Sequence, residues 1–281
     1  MTGQTRRIDR VITPMETTDG AGVRLRRSIA TPTLDYLDPF LLLDHFGSDD
    51  PDEYIAGFPM HPHRGIETVT YMLDGVVRHR DTMGHAGEVG AGDIQWMSAG
   101  GGLQHEEMPQ IRKGRLEGFQ LWVNLPASLK MSKPQYQEVA SGKIPEVEHD
   151  NARIRIVAGQ VGGAMGAISD IAANPTYLDV TVPAKEKFEY PVPAGHAAFA
   201  YVFRGAVIVD GQRIEAPRLV VFQDGDSVAL RADETGTRFL LVSGNPLNEP
   251  VARYGPFVMN TRGEIEQAIS DLRRGCFEWR G

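Results

Sequence analysis

Two short stretches place metal-ligand residue types at strand spacing: His61-Pro62-His63 and His105-Glu106-Glu107. In an extended strand, residues two apart point to the same face. His61 and His63 therefore share a face of one strand, and His105 and Glu107 share a face of another. If these strands face each other across a sheet or a barrel interior, three imidazoles and one carboxylate converge. That donor set suits a borderline divalent transition metal, iron(II) first; nickel, manganese, cobalt and zinc also accept three His and a Glu. Four protein ligands around an octahedral ion leave two positions for water, substrate or dioxygen. A lone histidine is more often a backbone-bonded surface or core residue. Two such pairs separated by strand-like sequence favour a metal instead.

The elements that must position these residues read as strands. Ile66-Glu67-Thr68-Val69-Thr70-Tyr71-Met72-Leu73 is rich in β-branched and aromatic residues. Asp74-Gly75 is a hairpin signal, and Val76 to Arg80 reads as the returning strand. Glu88 to Asp93 is a tight turn, followed by the strand Ile94 to Met97. Gly100-Gly101-Gly102 lacks the Gly-Lys-Ser/Thr of a phosphate loop and reads as a bend bringing His105 and Glu107 round. Gly118 to Leu125 is a further strand. Gln120 and Trp122 on it, with Phe58 and Met97, are the candidate pocket-lining residues, although core packing explains the apolar ones equally well. His79 and His85 read as surface or turn residues, and Glu106 should face away from Glu107.

Upstream, residues 10–30 read as short strands turning at Asp19-Gly20, and Leu37 to Phe46 as a buried strand. Pro126 to Pro145 is polar and Pro-containing and reads as a linker between two halves. The second half repeats the first in outline: Tyr71 to Val77 resembles Tyr201 to Val207. Short strands divided by Gly, Asp and Pro turns predict two antiparallel β-barrels. One helix is marked near the end. Thr261 with Glu264 forms a capping box, Ile265, Ala268, Ile269 and Leu272 share a face, and Gly275 sits at the C-terminal cap.

Composition bounds the function. The 281 residues are 41% hydrophobic and 23% charged, ordinary for a soluble globular protein. The net charge of −8 speaks against direct nucleic-acid or anionic-membrane binding. The one cysteine, Cys276, cannot staple the chain, which predicts a reducing compartment. No signal-peptide pattern opens the sequence, and no apolar run is long enough to span a membrane. A cytoplasmic protein is the expectation.

The sequence resembles the pirin family of the cupin superfamily. The resemblance rests on RRSIATPTLDYLDPFLLLDHFG at 26–47, GFPMHPHRGIETVTYMLDG at 57–75, GDIQWMSAGGGLQHEEMP at 92–109, GFQLWVNLP at 118–126 and YGPFVMNTRGEI at 254–265. It implies an all-β bicupin: a metal-binding cupin barrel over 1–133, and a metal-free barrel over 134–281 with the short C-terminal helix. It implies one iron(II) per chain, held by His61, His63, His105 and Glu107. Glu67 completes the general cupin H-x-H-x₃-E motif and remains a competing ligand or a residue behind the ligands. In the second half, His196 lacks a partner because Ala198 stands where a second His would be.

The resemblance further implies a quercetin 2,3-dioxygenase, opening the central flavonol ring with dioxygen and releasing carbon monoxide. The ion would act as a Lewis acid toward the flavonol 3-oxygen, and Glu107 or Glu67 would take the 3-OH proton. A second reading is a metal-bearing regulator that binds a protein partner, either a transcription factor or a metabolic enzyme. A third is a cupin isomerase or sugar-processing enzyme. A catalyst needs its metal open to a substrate-sized cavity, whereas a regulator can have a closed site and a broad exposed patch.

Overall fold

The computed structural model describes residues 3–111 and 115–279. Its strands pair antiparallel throughout, and they form two compact units. One unit takes Met15–Ser141 together with the chain from Leu247 onward; the other takes the segment ending at Pro14 together with Gly142–Pro246. Each is a cupin-type β-domain whose sheets are not closed into a ring. Neither is one stretch of chain, because each incorporates a terminal segment.

The unit containing the two histidine stretches has a seven-stranded and a four-stranded sheet. The seven-stranded sheet runs Gln135–Val139, Ile94–Ser98, Ile66–Asp74, Leu116–Asn124, Phe40–Ser48, Val23–Ile29, Met15–Asp19. Ile66–Asp74 is buried over most of its length, as its nearly unbroken apolar and β-branched sequence requires. The four-stranded sheet runs Phe58–His63, Leu103–Pro109, Val77–Asp81, Ala86–Val89. Here burial alternates. Leu103, His105, Glu107 and Pro109 point inward, as do Val77, His79 and Asp81, while Arg78 and Arg80 are exposed.

Asp74-Gly75 does turn the chain, with Gly75 at φ 80° and its amide bonded to Asp74 Oδ1 at 2.7 Å. It does not close a hairpin. Ile66–Asp74 and Val77–Asp81 lie in different sheets, so the turn carries the chain from one layer to the other. Local turn chemistry is the same in both cases; only the pairing differs.

The stretch read as a linker is structured. Gln135–Val139 pairs with Ile94–Ser98 at the edge of the seven-stranded sheet. Just before it, Lys130 is buried, and its Nζ donates to Gly65 O (2.9 Å), Asn124 Oδ1 (2.7 Å) and Val258 O (2.9 Å). Burial lowers this amine to about 8. A polar stretch thus fits inside because its ammonium meets three oxygens.

The chain beyond Leu247 completes this unit. The helix Arg262–Arg273 has the predicted capping box at Thr261 and Glu264. It ends with Gly275 N donating to Leu272 O and Cys276 N to Asp271 O, which is a Schellman motif. Ile265 and Ala268 pack with Phe257, Met259 and Phe277. Cys276 is exposed. Arg64, next to His63, ties this segment down. Its Nε donates to Gly101 O (2.7 Å), one terminal nitrogen to Asp271 Oδ2 (2.8 Å) and the other to Phe277 O (2.7 Å). The glycines at 100–102 therefore do more than bend the chain. A Cβ on Gly102 would lie 2.5 Å from Phe277 O, and one on Gly100 would lie 2.2 Å from Ser132 O.

The other unit is a nine-stranded sheet around a closely packed apolar core that includes Ile154, Leu178, Phe188, Val220 and Phe239. Tyr201 lies on its Ala197–Val209 strand, as Tyr71 lies on Ile66–Asp74 in the first unit.

Candidate metal centre

The strands Phe58–His63 and Leu103–Pro109 are hydrogen-bonded neighbours in one sheet, not strands opposed across an interior. His105 pairs with His61 and Leu103 with His63; an irregularity between His105 and Glu107 then sets Glu107 opposite Phe58. Directly paired residues on one face are the closest side chains a sheet offers. Accordingly, the ring centroids stand 4.4 Å apart for His61 and His105, 4.8 Å for His61 and His63, and 5.0 Å for His63 and His105. One donor atom from each imidazole lies within 4.8 Å of the other two.

Two of these rings, His63 and His105, are held as neutral bases. Burial, with the neighbouring imidazole of His61, keeps His63 well below the ordinary histidine range. Burial, with His63 and His61, does the same for His105. His63 Nδ1 and both ring nitrogens of His105 are buried without a hydrogen-bond partner. His61 differs: its Nδ1 lies 2.9 Å from Pro59 O, which fixes the proton there and leaves Nε2 as the lone-pair nitrogen. Orphaned nitrogens in a protein interior cost free energy unless something meets them. Three converging imidazoles, two of them buried with unmet nitrogens, fit a divalent transition metal.

Glu107 is buried on the same strand face as His105 but stands outside the cluster of three. Thr70 Oγ1 lies 2.7 Å from its Oε1 and 2.8 Å from the Gln120 amide oxygen. A hydroxyl has one proton, and the carboxylate is the stronger acceptor. Gln120 satisfies the threonine best with its amide turned so that nitrogen donates.

The centre opens into a cavity of about 500 Å³. Its apolar wall includes Phe58, Phe46 and Trp122, and its polar wall His61, His63, Glu107 and Gln120. Trp122 stands edge-on to His63, with centroids 5.1 Å apart. Further out lie two arginines, Arg27 and Arg253. Asp44 holds Arg27 in a two-pronged pair, 2.8 Å to Nε and 2.6 Å to a terminal nitrogen. Burial raises the Asp44 carboxyl to about 6 even so.

Family profiles match on both halves: one described as Pirin over residues 22–123, and one described as Pirin C-terminal cupin domain over 177–278. A pirin-like protein of Caulobacter vibrioides is 46% identical over 95% of this chain and 98% of its own length. The chain belongs to the pirin family. Human pirin is 42% identical over 96% of this chain and 93% of its own. A crystal structure of quercetin 2,3-dioxygenase from Acinetobacter baumannii superposes with a TM-score of 0.90 at 35% identity, covering 98% of this chain and 99% of that one.

In this pirin-family chain, the expected site residues divide. His61, His63 and His105 come together, and Glu107, Phe58, Gln120 and Trp122 line the cavity with the first two. Glu67 and Met97 do not line it. Glu67 is buried, with the Trp96 indole Nε1 donating to its Oε2 at 3.2 Å, and burial raises it to about 7. Met97 packs with Ala99 and Leu103. His79 is no surface residue: it is fully buried, its ring 5.4 Å from that of His105. The signal was available, since Val77, His79 and Asp81 alternate with arginines. Asp81 sits behind it, bonded to His85 Nδ1 at 2.8 Å. Glu106 does turn away and accepts from Arg80 Nε at 3.1 Å. Arg27 and Asp44 fall within the 26–47 stretch and Arg253 just before the 254–265 stretch, but no spacing marks any of the three as a site residue.

Proposed function

We propose that this chain is an iron(II)-dependent dioxygenase that opens flavonols such as quercetin, with His61, His63, His105 and Glu107 holding the ion. The observation that carries this reading is the opening of the three-histidine centre onto a cavity of about 500 Å³ with aromatic walls. That volume lies within the range of small-molecule sites. The likeness to a quercetin 2,3-dioxygenase along nearly the whole chain supports it.

The ion, when bound, supplies Lewis acidity toward the 3-oxygen of the flavonol. The remaining work belongs to the chain. Phe58 and Trp122 present ring faces and edges to a flat polyphenol. Glu107 takes the 3-OH proton, which makes the 3-oxygen anionic; Thr70 steadies the carboxylate through its hydroxyl. Glu67, bonded to Trp96 and outside the cavity lining, is not the base in this reading. The neutral state of His63 and His105 leaves their lone pairs for the ion.

The test is elemental analysis of natively purified protein, followed by oxygen uptake across a flavonoid panel. One iron per chain and uptake only with flavonols are expected. A full metal complement with no uptake on any flavonol refutes the catalytic reading and leaves the regulator. E107Q should lower turnover strongly; normal turnover in E107Q removes that carboxylate from the mechanism.

A further inference from the structure

The cavity contains two cations in different electrostatic situations. Arg27 is neutralised: Asp44 takes two of its nitrogens and Asp19 bonds a terminal nitrogen at 2.5 Å. Arg253 has no ion-pair partner among the described residues. Its one hydrogen bond runs from a terminal nitrogen to Leu41 O at 3.1 Å. Its guanidinium lies over the Trp122 ring, 5.3 Å from the centroid. That stacking and the single backbone bond orient the group and leave further N–H donors unused.

Arg253 is exposed at the cavity wall, so water, not a carboxylate, meets the donors that the protein leaves free. Burial lowers Arg253 from its ordinary value, and the neighbouring Arg27 lowers it further; the nearby carboxylates of Asp35, Asp44 and Asp19 only partly offset this. A guanidinium that is oriented, partly desolvated and unpaired stabilises an anion placed against it. It also stands at a defined remove from the metal centre. Trp122 carries Arg253 over its face and stands in a T-shaped contact with His63. The guanidinium is thus one indole away from a ligand imidazole, within the same cavity wall.

We propose that Arg253 is a specificity-determining residue, selecting planar polyphenols that carry an oxyanion substituent, carboxylate or sulfonate, on the ring remote from the metal-binding oxygens. This rests on the flavonol reading and narrows it. Neutral flavonols engage the centre and the aromatic wall alone; the preferred substrate adds a charge-assisted, two-pronged contact at Arg253. Arg27 cannot serve instead, because Asp44 already occupies the fork of its guanidinium.

The experiment measures anaerobic binding of quercetin and of quercetin-5′-sulfonate to metal-loaded protein by calorimetry, in wild type, R253M and R253K. Wild type should prefer the sulfonate by roughly threefold to tenfold, the scale of a two-pronged charge pair at an exposed guanidinium. In R253M the ratio of the two affinities should fall to near one, and R253K should keep part of it. The preference should shrink as salt is raised. A purely structural role for Arg253 would weaken both ligands alike and leave the ratio intact. Equal affinity for the two ligands in wild type, or an R253M ratio unchanged from wild type, overturns the proposal while the flavonol reading stands. Failure of both ligands to bind wild type overturns the two together.

Discussion

Replacing Glu67 by Gln separates two roles that a glutamate four residues after His63 could have. In the folded protein this carboxyl is buried, bonded among the described residues only to the Trp96 indole, and raised from 4.5 to about 7. The folded state therefore binds its proton more tightly than the unfolded state does. Stability is free of this cost below about pH 4.5, falls as pH rises from there, and carries the full cost above pH 7. A displacement of about two and a half pH units corresponds to roughly 3 kcal/mol. E67Q keeps an acceptor for Trp96 and never ionises. Urea unfolding of chelator-treated wild type and E67Q at pH 5, 6, 7 and 8 should give curves close together at pH 5. At pH 8 the variant should be the more stable by up to about 3 kcal/mol. The chelator matters because a nearby divalent charge would hold the carboxylate ionised. Metal stoichiometry in untreated protein should be equal in the two forms. A stability difference that does not change with pH would refute the burial argument, and loss of metal in E67Q would make Glu67 a ligand.

Three further outcomes follow from particular contacts. H105A should lose metal by elemental analysis, and added iron(II) should raise the melting temperature of wild type but not of the variant, because ligand binding to the native state alone stabilises it. T70V removes the hydroxyl that bonds Glu107 Oε1; oxygen uptake with quercetin should fall roughly tenfold with metal content unchanged, the scale of one hydrogen bond to a charged group. While Asp271 Oδ1 keeps Gln267 and Arg274, R64M strips the donor from the carbonyls of Gly101 and Phe277 and from Asp271 Oδ2. It should cost about 3 kcal/mol or more in urea unfolding and speed hydrogen exchange in the Arg262–Arg273 helix.

Much of the site was readable because strand parity is strict. The period of two put His105 with Glu107 and turned Glu106 away, and the burial of Leu103–Pro109 follows that alternation. The same rule applied to Val77-Arg78-His79-Arg80-Asp81 would have moved His79 inside. What parity cannot supply is pairing. His61 and His105 meet as neighbours within one sheet, and the Asp74-Gly75 turn changes layers instead of closing a hairpin. Composition misled at Pro126 to Pro145, because a lysine reads as solvent-seeking whether or not three oxygens wait for it. Arg27, Asp44 and Arg253 were invisible for a related reason. Their roles arise from contacts between residues far apart in sequence, and no local spacing encodes them.

The chain beyond Leu247 is part of the construction around the three-histidine cluster, although it is far from the histidines in sequence. It contributes Arg253 and Pro256 to the cavity wall. Its Val258 carbonyl accepts from the buried Lys130, and its Asp271 and Phe277 hold Arg64. Arg64 directly follows His63, and Gly65 after it lies so close to Val258 that a Cβ there would come within 2.0 Å of the carbonyl oxygen. The backbone leaving His63 is thus clamped on both sides by the returning segment. A ligand imidazole is only as well placed as the strand end that carries it. The four ligands proposed, all within the first 107 residues, therefore depend for their geometry on residues near the other end of the sequence.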